Sequence, residues 1–229
     1  MSNEKFKKGN ADKAWNLQKK PRGYNVNSQA IAKRFLILCE GETERDYFSA
    51  FPVASAEAKI LSKGESRKAI VQSAIDAKKQ SEYKGYEIWV VFDMDFDTQT
   101  TNNCTDLRQD FDQAIELAKQ KGIQTAYSND SFELWYLLHY ESCGCYTRRY
   151  YCERLKEIWK DHLKGMSYGK NEKFRRKTYE LLLPKQAEAI EKAKKLHQDH
   201  SNIHTKCSKQ NPCTTVYLLA EQLNKYLKK

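Results

Sequence analysis

Five apolar residues, Ile88-Trp89-Val90-Val91-Phe92, run directly into Asp93-Met94-Asp95-Phe96-Asp97. An unbroken apolar run of this length fits one fully buried strand. Alternate residues of an extended chain share a face, so Asp93, Asp95 and Asp97 should converge on one edge at the strand's carboxyl end. Like charges placed so raise one another's pKa and repel. A cation between them relieves the repulsion, and ligands that are all oxygen suit Mg²⁺ or Mn²⁺. The carboxyl end of a parallel strand is also where α/β proteins build their sites.

A second buried run, Arg34-Phe35-Leu36-Ile37-Leu38-Cys39, ends in Glu40-Gly41-Glu42-Thr43-Glu44. Gly41 permits a tight turn. Thr43 is placed to cap a helix reaching about Phe51, with Asp46 completing a variant capping box. Glu40 then stands at a strand end and Glu44 on the first turn of the following helix. A helix start favours an acid for its dipole alone, but a carboxylate directly after a buried strand needs a partner.

Lys59-Ile60-Leu61 is a short strand candidate. Ser62 to Ser66 form a turn able to cap a helix bearing Ala69, Ile70, Ala74 and Ala77 at helical spacing. Lys63, Arg67 and Lys68 gather at that helix start, where phosphate also meets free backbone N–H groups. Asn102 to Asp106 read as a polar loop, followed by a helix stopped by Gly122 and a strand from Ile123 to Tyr127. The order β-α-β-α-β-α-β predicts an α/β fold, a mostly parallel sheet flanked by helices. Ser128 to Ser131 should cap an apolar helix from Phe132 to Tyr140, with Glu133 on its first turn.

Charge divides the chain into three parts. Residues 1–34 carry +7, residues 35–141 carry −8, and residues 142–229 carry +11. We therefore expect a basic arm over 1–33, an acidic α/β domain over 34–141, and a basic helical extension over 142–229 packed on it. Helices are expected over Arg149–Lys164, Glu172–Leu183, Pro184–His197 and Thr214–Leu227. An acidic middle with basic flanks suits a metal site bordered by a polyanion-binding surface. Arg148 and Arg149, and Arg175, Arg176 and Lys177, are the candidate phosphate contacts; neighbouring Tyr150, Tyr151 and Phe174 are candidates for base stacking.

Other classes find little support. No apolar run reaches the ~18 residues of a membrane span, and the polar N-terminus lacks a secretory core. Seven cysteines without framework spacing point to reduced thiols in a cytosol. Cys143, Cys145, Cys152, Cys207 and Cys213 match no common zinc-finger spacing. Neither a Gly-x-Ser-x-Gly nucleophile motif nor a phosphate-binding glycine loop is present.

The order Glu40-Gly41-Glu42-Thr43-Glu44, then Asp93-Met94-Asp95, resembles the Toprim domain of topoisomerases, primases and overcoming-lysogenization-defect nucleases. Tyr127-Ser128-Asn129-Asp130-Ser131-Phe132-Glu133-Leu134-Trp135 and Asn211-Pro212-Cys213-Thr214-Thr215-Val216 are similar to the RloB family of Toprim-like proteins, over roughly residues 34–227. At position 130 this chain has Asp where many relatives have Pro. The resemblance implies a Mg²⁺-dependent site, and together with the charge pattern and the cytosolic thiols the expectation is a cytoplasmic Mg²⁺- or Mn²⁺-dependent nuclease acting on DNA or RNA, tRNA included. Glu40 would be the general base or acid. Asp93 and Asp95 would hold the metal, Glu44 would support a second ion, and Glu133 could join the cluster. It also implies an ATPase partner and a role in antiviral defence. A non-cleaving nucleic-acid-binding regulatory subunit and a nucleotidyl transferase are the other readings.

Overall fold

The computed structural model describes residues 33–53, 56–60, 66–95, 104–163, 172–203 and 205–228. The arm up to residue 32, Lys63 and Asp97 lie outside them.

Side-chain alternation along the strands sets the architecture. Strand β1 (Arg34–Cys39) sends Phe35, Ile37 and Cys39 into one apolar cluster and Leu36 and Leu38 into another. After helix α1 (Glu42–Ser49), strand β2 (Ala56–Ile60) and helix α2 (Arg67–Lys79), strand β3 (Tyr86–Asp93) repeats the division. Its Trp89 and Val91 join the first cluster; Ile88, Val90 and Phe92 join the second. Full burial of such a side chain contributes about 1.5–3 kcal/mol, so the two apolar faces commit the sheet to helices on both sides.

Helix α3 (Cys104–Lys121) and strand β4 (Gln124–Asn129) follow, then helix α4 (Glu133–Leu138). The later helices are α5 (Arg148–Ile158), α6 (Lys160–Leu163), α7 (Glu172–Leu182) and α8 (Gln186–Ile203); strand β5 (Cys213–Thr214) and helix α9 (Val216–Asn224) close the chain. Among the described residues the sheet order is β2-β1-β3-β4-β5, with β1 to β4 parallel and β5 antiparallel to β4. Helices α2 and α3 cover one face; α1, α4, α5, α7, α8 and α9 cover the other. Residues Lys33–Lys229 form one compact unit. The basic section after residue 141 shares its sheet and core, since β5 extends the sheet beyond β4.

Several local expectations change. Gly41, not Thr43, is the N-cap of α1, and no side chain caps it. Asp46 cannot complete a box because its carboxylate is taken by Arg45 and Arg175, at 2.7 and 2.8 Å. Helix α3 begins at Cys104, inside the expected polar loop, and β4 runs on through Ser128 and Asn129, which were expected to cap a helix. Ser66 does cap α2, accepting from the Ala69 amide. The expected helix over Arg149–Lys164 is divided into α5 and α6 at the buried Trp159. Pro184 lies in a 3₁₀ turn, Leu183–Lys185, ahead of α8. The Asn129–Asp130 and Asn211–Pro212 peptide bonds are cis.

Candidate metal centre

The carboxyl ends of β1, β3 and β4 meet at one edge of the sheet. Glu40 follows β1 and still pairs with β3, its amide donating to Val91 O at 3.0 Å. Its Oε2 accepts the Asp93 amide at 3.2 Å. Asp93 is the last residue of β3 and is buried; its Oδ2 accepts the Phe132 amide at 2.8 Å, just ahead of α4. Its Oδ1 is buried without a hydrogen-bond donor.

The alternation expected to bring Asp95 beside Asp93 stops at the strand end. Asp95 has φ 47°, the left-handed region, which Asp tolerates better than most residues. Its amide donates to Asp130 O at 3.0 Å, and the Met94 amide to Ser128 O at 2.9 Å. Arg67, buried, donates to Asp93 O at 2.9 Å and to Met94 O at 2.7 Å. The turn out of β3 is therefore tied to α2 and to the β4 exit. Asp95 still lines the same cleft as Asp93, from an exposed position.

Glu44 and Glu133 occupy the first turns of α1 and α4, and both are buried. Glu44 Oε2 and Glu133 Oε2 have no hydrogen-bond donor. A Cβ added at Gly41 would lie 2.5 Å from Glu44 Oε2, so glycine is what lets the Glu44 carboxylate fold back against the turn. The cleft has a volume of about 240 Å³, with Glu40, Glu44, Asp93, Asp95 and Arg148 in its lining.

Burial and mutual repulsion both act on Glu40, Glu44 and Asp93. Burial raises the Glu40 carboxyl, and Asp95 adds to it against the pull of Arg67 and Arg148. Glu44 is raised to about 7 by burial and then by Glu133 and Glu40. Asp93 is pushed well above the usual carboxylate range by burial, then by Glu44, Asp95, Glu133 and Glu40. The neighbouring cation is Arg148: Nη1 donates to Asp95 Oδ1 at 2.8 Å, and Nε stands 3.5 Å from Glu133 Oε2. Its own pKa is raised, chiefly by Glu133.

Among the described residues, no three His, Cys, Asp or Glu side chains are grouped closely enough to hold a metal ion as they stand. Arg148 stands between Asp95 and Glu133. The donor set nonetheless fits a hard divalent cation: it is all carboxylate oxygen, and three of those oxygens are buried without donors, an arrangement that costs free energy unless something satisfies it. Glu40, Glu44, Asp93, Asp95 and Glu133 are the residues that could hold one.

The basic residues separate into two groups. Arg67 and Arg175 are buried, unlike the surface contacts expected of them. Arg175 Nε pairs with Asp46 at 2.8 Å and Nη2 with Glu42 at 3.1 Å, fastening α7 to α1. Arg149 and Arg176 are exposed, each in a helical pair with a glutamate of its own helix, Glu153 and Glu172. Lys68 and Lys177 are exposed. Tyr151 and Phe174 are core residues, whereas Tyr150 is exposed and stacks on Tyr146 with ring centroids 4.1 Å apart.

Reading by sequence missed the role of Arg67 as a strut, the Phe132 amide on Asp93, and Arg148 among the acids. Each joins residues at least 26 positions apart, so no local pattern carries it. Cys39, Cys143, Cys145, Cys152, Cys207 and Cys213 are free thiols. No helix among the described residues is long and apolar enough to cross a membrane.

Comparison with curated proteins gives no match, and comparison with solved structures gives none. A family model described as RloB-like protein matches residues 35–223, and the chain belongs to the RloB-like family.

Proposed function

We propose that the chain is a divalent-metal-dependent nuclease that hydrolyses phosphodiester bonds of DNA or RNA, tRNA included, in antiviral defence. One observation carries the reading: Asp93 Oδ1, Glu44 Oε2 and Glu133 Oε2 are buried carboxylate oxygens without donors, in one acid cluster at the ends of parallel strands. The placing of Glu40 and Glu44 after β1, of Asp93 at the end of β3 and of Asp95 just past it agrees with a Toprim-like site. Asp93 and Glu44 would be the inner ligands, with Asp95 and Glu133 beside them. Mg²⁺ or Mn²⁺ bound there supplies the charge that polarises a phosphoryl oxygen and acidifies a water. Glu40 suits the proton transfer. Burial raises its carboxyl toward the range a general base or acid needs at neutral pH. Its Oε1 is the oxygen that the Asp93 amide does not engage. The Asp93 amide fixes Glu40, the Phe132 amide fixes Asp93, and Arg67 holds the carbonyls behind them.

The test is purified protein with labelled DNA and RNA panels, with Mg²⁺, Mn²⁺ or EDTA. Cleavage should require the cation. Asp93→Asn should lose metal affinity and nearly all cleavage while its metal-free melting temperature holds or rises, because repulsion is relieved. Unfolding of that variant, or cleavage equal to the parent's, refutes the metal site. A second reading, a non-cleaving nucleic-acid-binding subunit working with an ATPase partner, is favoured by one feature: a guanidinium already stands among the acids. Binding to the panels without cleavage under any cation would select it.

A further inference from the structure

Arg148 is placed against the preference of its own helix. It is the first residue of α5, followed by Arg149, with no acid in the first turn and no side-chain cap at Thr147. A helix N-terminus carries partial positive charge and disfavours cations. What holds Arg148 there comes from elsewhere in the chain. Its amide donates to Asp130 Oδ2 at 3.1 Å, and its guanidinium reaches Asp95 at 2.8 Å and Glu133 at 3.5 Å.

The guanidinium neutralises the cluster poorly. Its direct hydrogen bond goes to the exposed Asp95, and its side chain is itself 50% exposed. Asp93 Oδ1 and Glu44 Oε2 still lack donors, and Glu133 Oε2 has the ion pair at 3.5 Å but no hydrogen bond. The guanidinium hydrogen-bonds Asp95 and leaves buried Asp93 and Glu44 oxygens unsatisfied, and carboxylate oxygen is the donor that a hard divalent cation takes. The half-exposed side chain has room to leave.

We propose that Arg148 is a tethered counter-ion: it occupies the acid cluster when no divalent cation is bound and is displaced when one binds. This rests on the metal-site reading above. Two positive charges compete for the same carboxylates, so each lowers the affinity of the other, and that coupling is reciprocal. Arg148 therefore sets the cation concentration at which the site fills, and displacement turns its guanidinium toward the mouth of the cleft.

The test uses Mn²⁺ alone, titrated calorimetrically into the parent, Arg148→Gln and Arg148→Lys. Removing the competing charge should tighten Mn²⁺ by about tenfold in Arg148→Gln, within the usual range of site-to-site coupling. Arg148→Lys, which keeps the charge but loses the two-pronged fork, should lie between. Without metal, Arg148→Gln should melt lower than the parent, and saturating Mn²⁺ should close that gap. Equal or weaker Mn²⁺ binding in both variants overturns the counter-ion role and leaves the metal site standing. No Mn²⁺ binding by any of the three proteins refutes the metal site and the inference together. If Arg148→Gln does not fold, Arg148→Lys decides: affinity equal to the parent's overturns the proposal.

Discussion

At the scale of single residues, three acids of the site, Glu44, Asp93 and Glu133, are buried away from water. Glu44 makes this measurable. Its carboxyl is raised from 4.5 to about 7, so the native state holds that proton more tightly than the unfolded chain does. The stability this gives is complete below about pH 4.5 and is lost as pH rises through about 7. The loss amounts to about 3 kcal/mol for such a shift. Glu44→Gln keeps the shape and cannot ionise. In EDTA, urea unfolding of this variant should match the parent near pH 4.5 and exceed it by about 3 kcal/mol at pH 8. His139 works in the opposite sense: burial lowers it to about 4, so its stabilising effect is lost as pH falls from about 6.5 toward 4. That effect is common to both proteins and cancels, whereas Asp93, which Glu44 also raises, responds with it, so the difference reads Glu44 together with its coupling to Asp93. Parallel profiles for parent and variant would show that Glu44 bears no unrelieved charge.

Among the elements, helix α2 fixes the end of β3. Arg67 satisfies two buried carbonyls there, Asp93 O and Met94 O. Arg67→Met fills similar volume but strands both acceptors, and each unsatisfied buried group costs about 1–3 kcal/mol. Urea denaturation should show a loss of about 2–5 kcal/mol; a loss under 1 kcal/mol would mean the carbonyls are not held by Arg67. The same element marks the boundary of what the sequence discloses. Strands β1 and β3 were legible because buried runs such as Phe35–Cys39 and Ile88–Phe92 have one simple reading. Their terminal acids Glu40 and Asp93 were legible with them. Strand β5, two residues long, has no period to read. Arg67, beside Lys68 at a helix start, has the local pattern of an exposed cluster; its burial follows only from the packing of α2 against β3 and α3. Arg148 and Arg175 hide for the same reason, since their partners Asp95 and Asp46 are 53 and 129 residues away.

Across the whole molecule, the +11 of residues 142–229 is not all available to a polyanion. Arg175 is spent on Asp46 and Glu42, and Arg148 on the acids of the cleft. Arg149 and Arg176 are differently placed: their helical partners are exposed glutamates, and exposed pairs of this kind contribute only about 0–1 kcal/mol. A phosphate can take over such a cation at little cost, and Lys177 is exposed beside Arg176. We predict that nucleic-acid affinity falls steeply with salt, log K losing about 0.7–0.9 per phosphate contact for each tenfold rise in salt. Replacing Arg149, Arg176 and Lys177 by glutamine should reduce that slope by about 2–3, while Arg175→Gln should instead destabilise the fold by removing one of the two arginines that pair buried Asp46. Fluorescence anisotropy of a labelled oligonucleotide across a KCl series, in EDTA so that nothing is cleaved, measures the slope. A slope unchanged in the triple variant would move the binding surface away from α5 and α7.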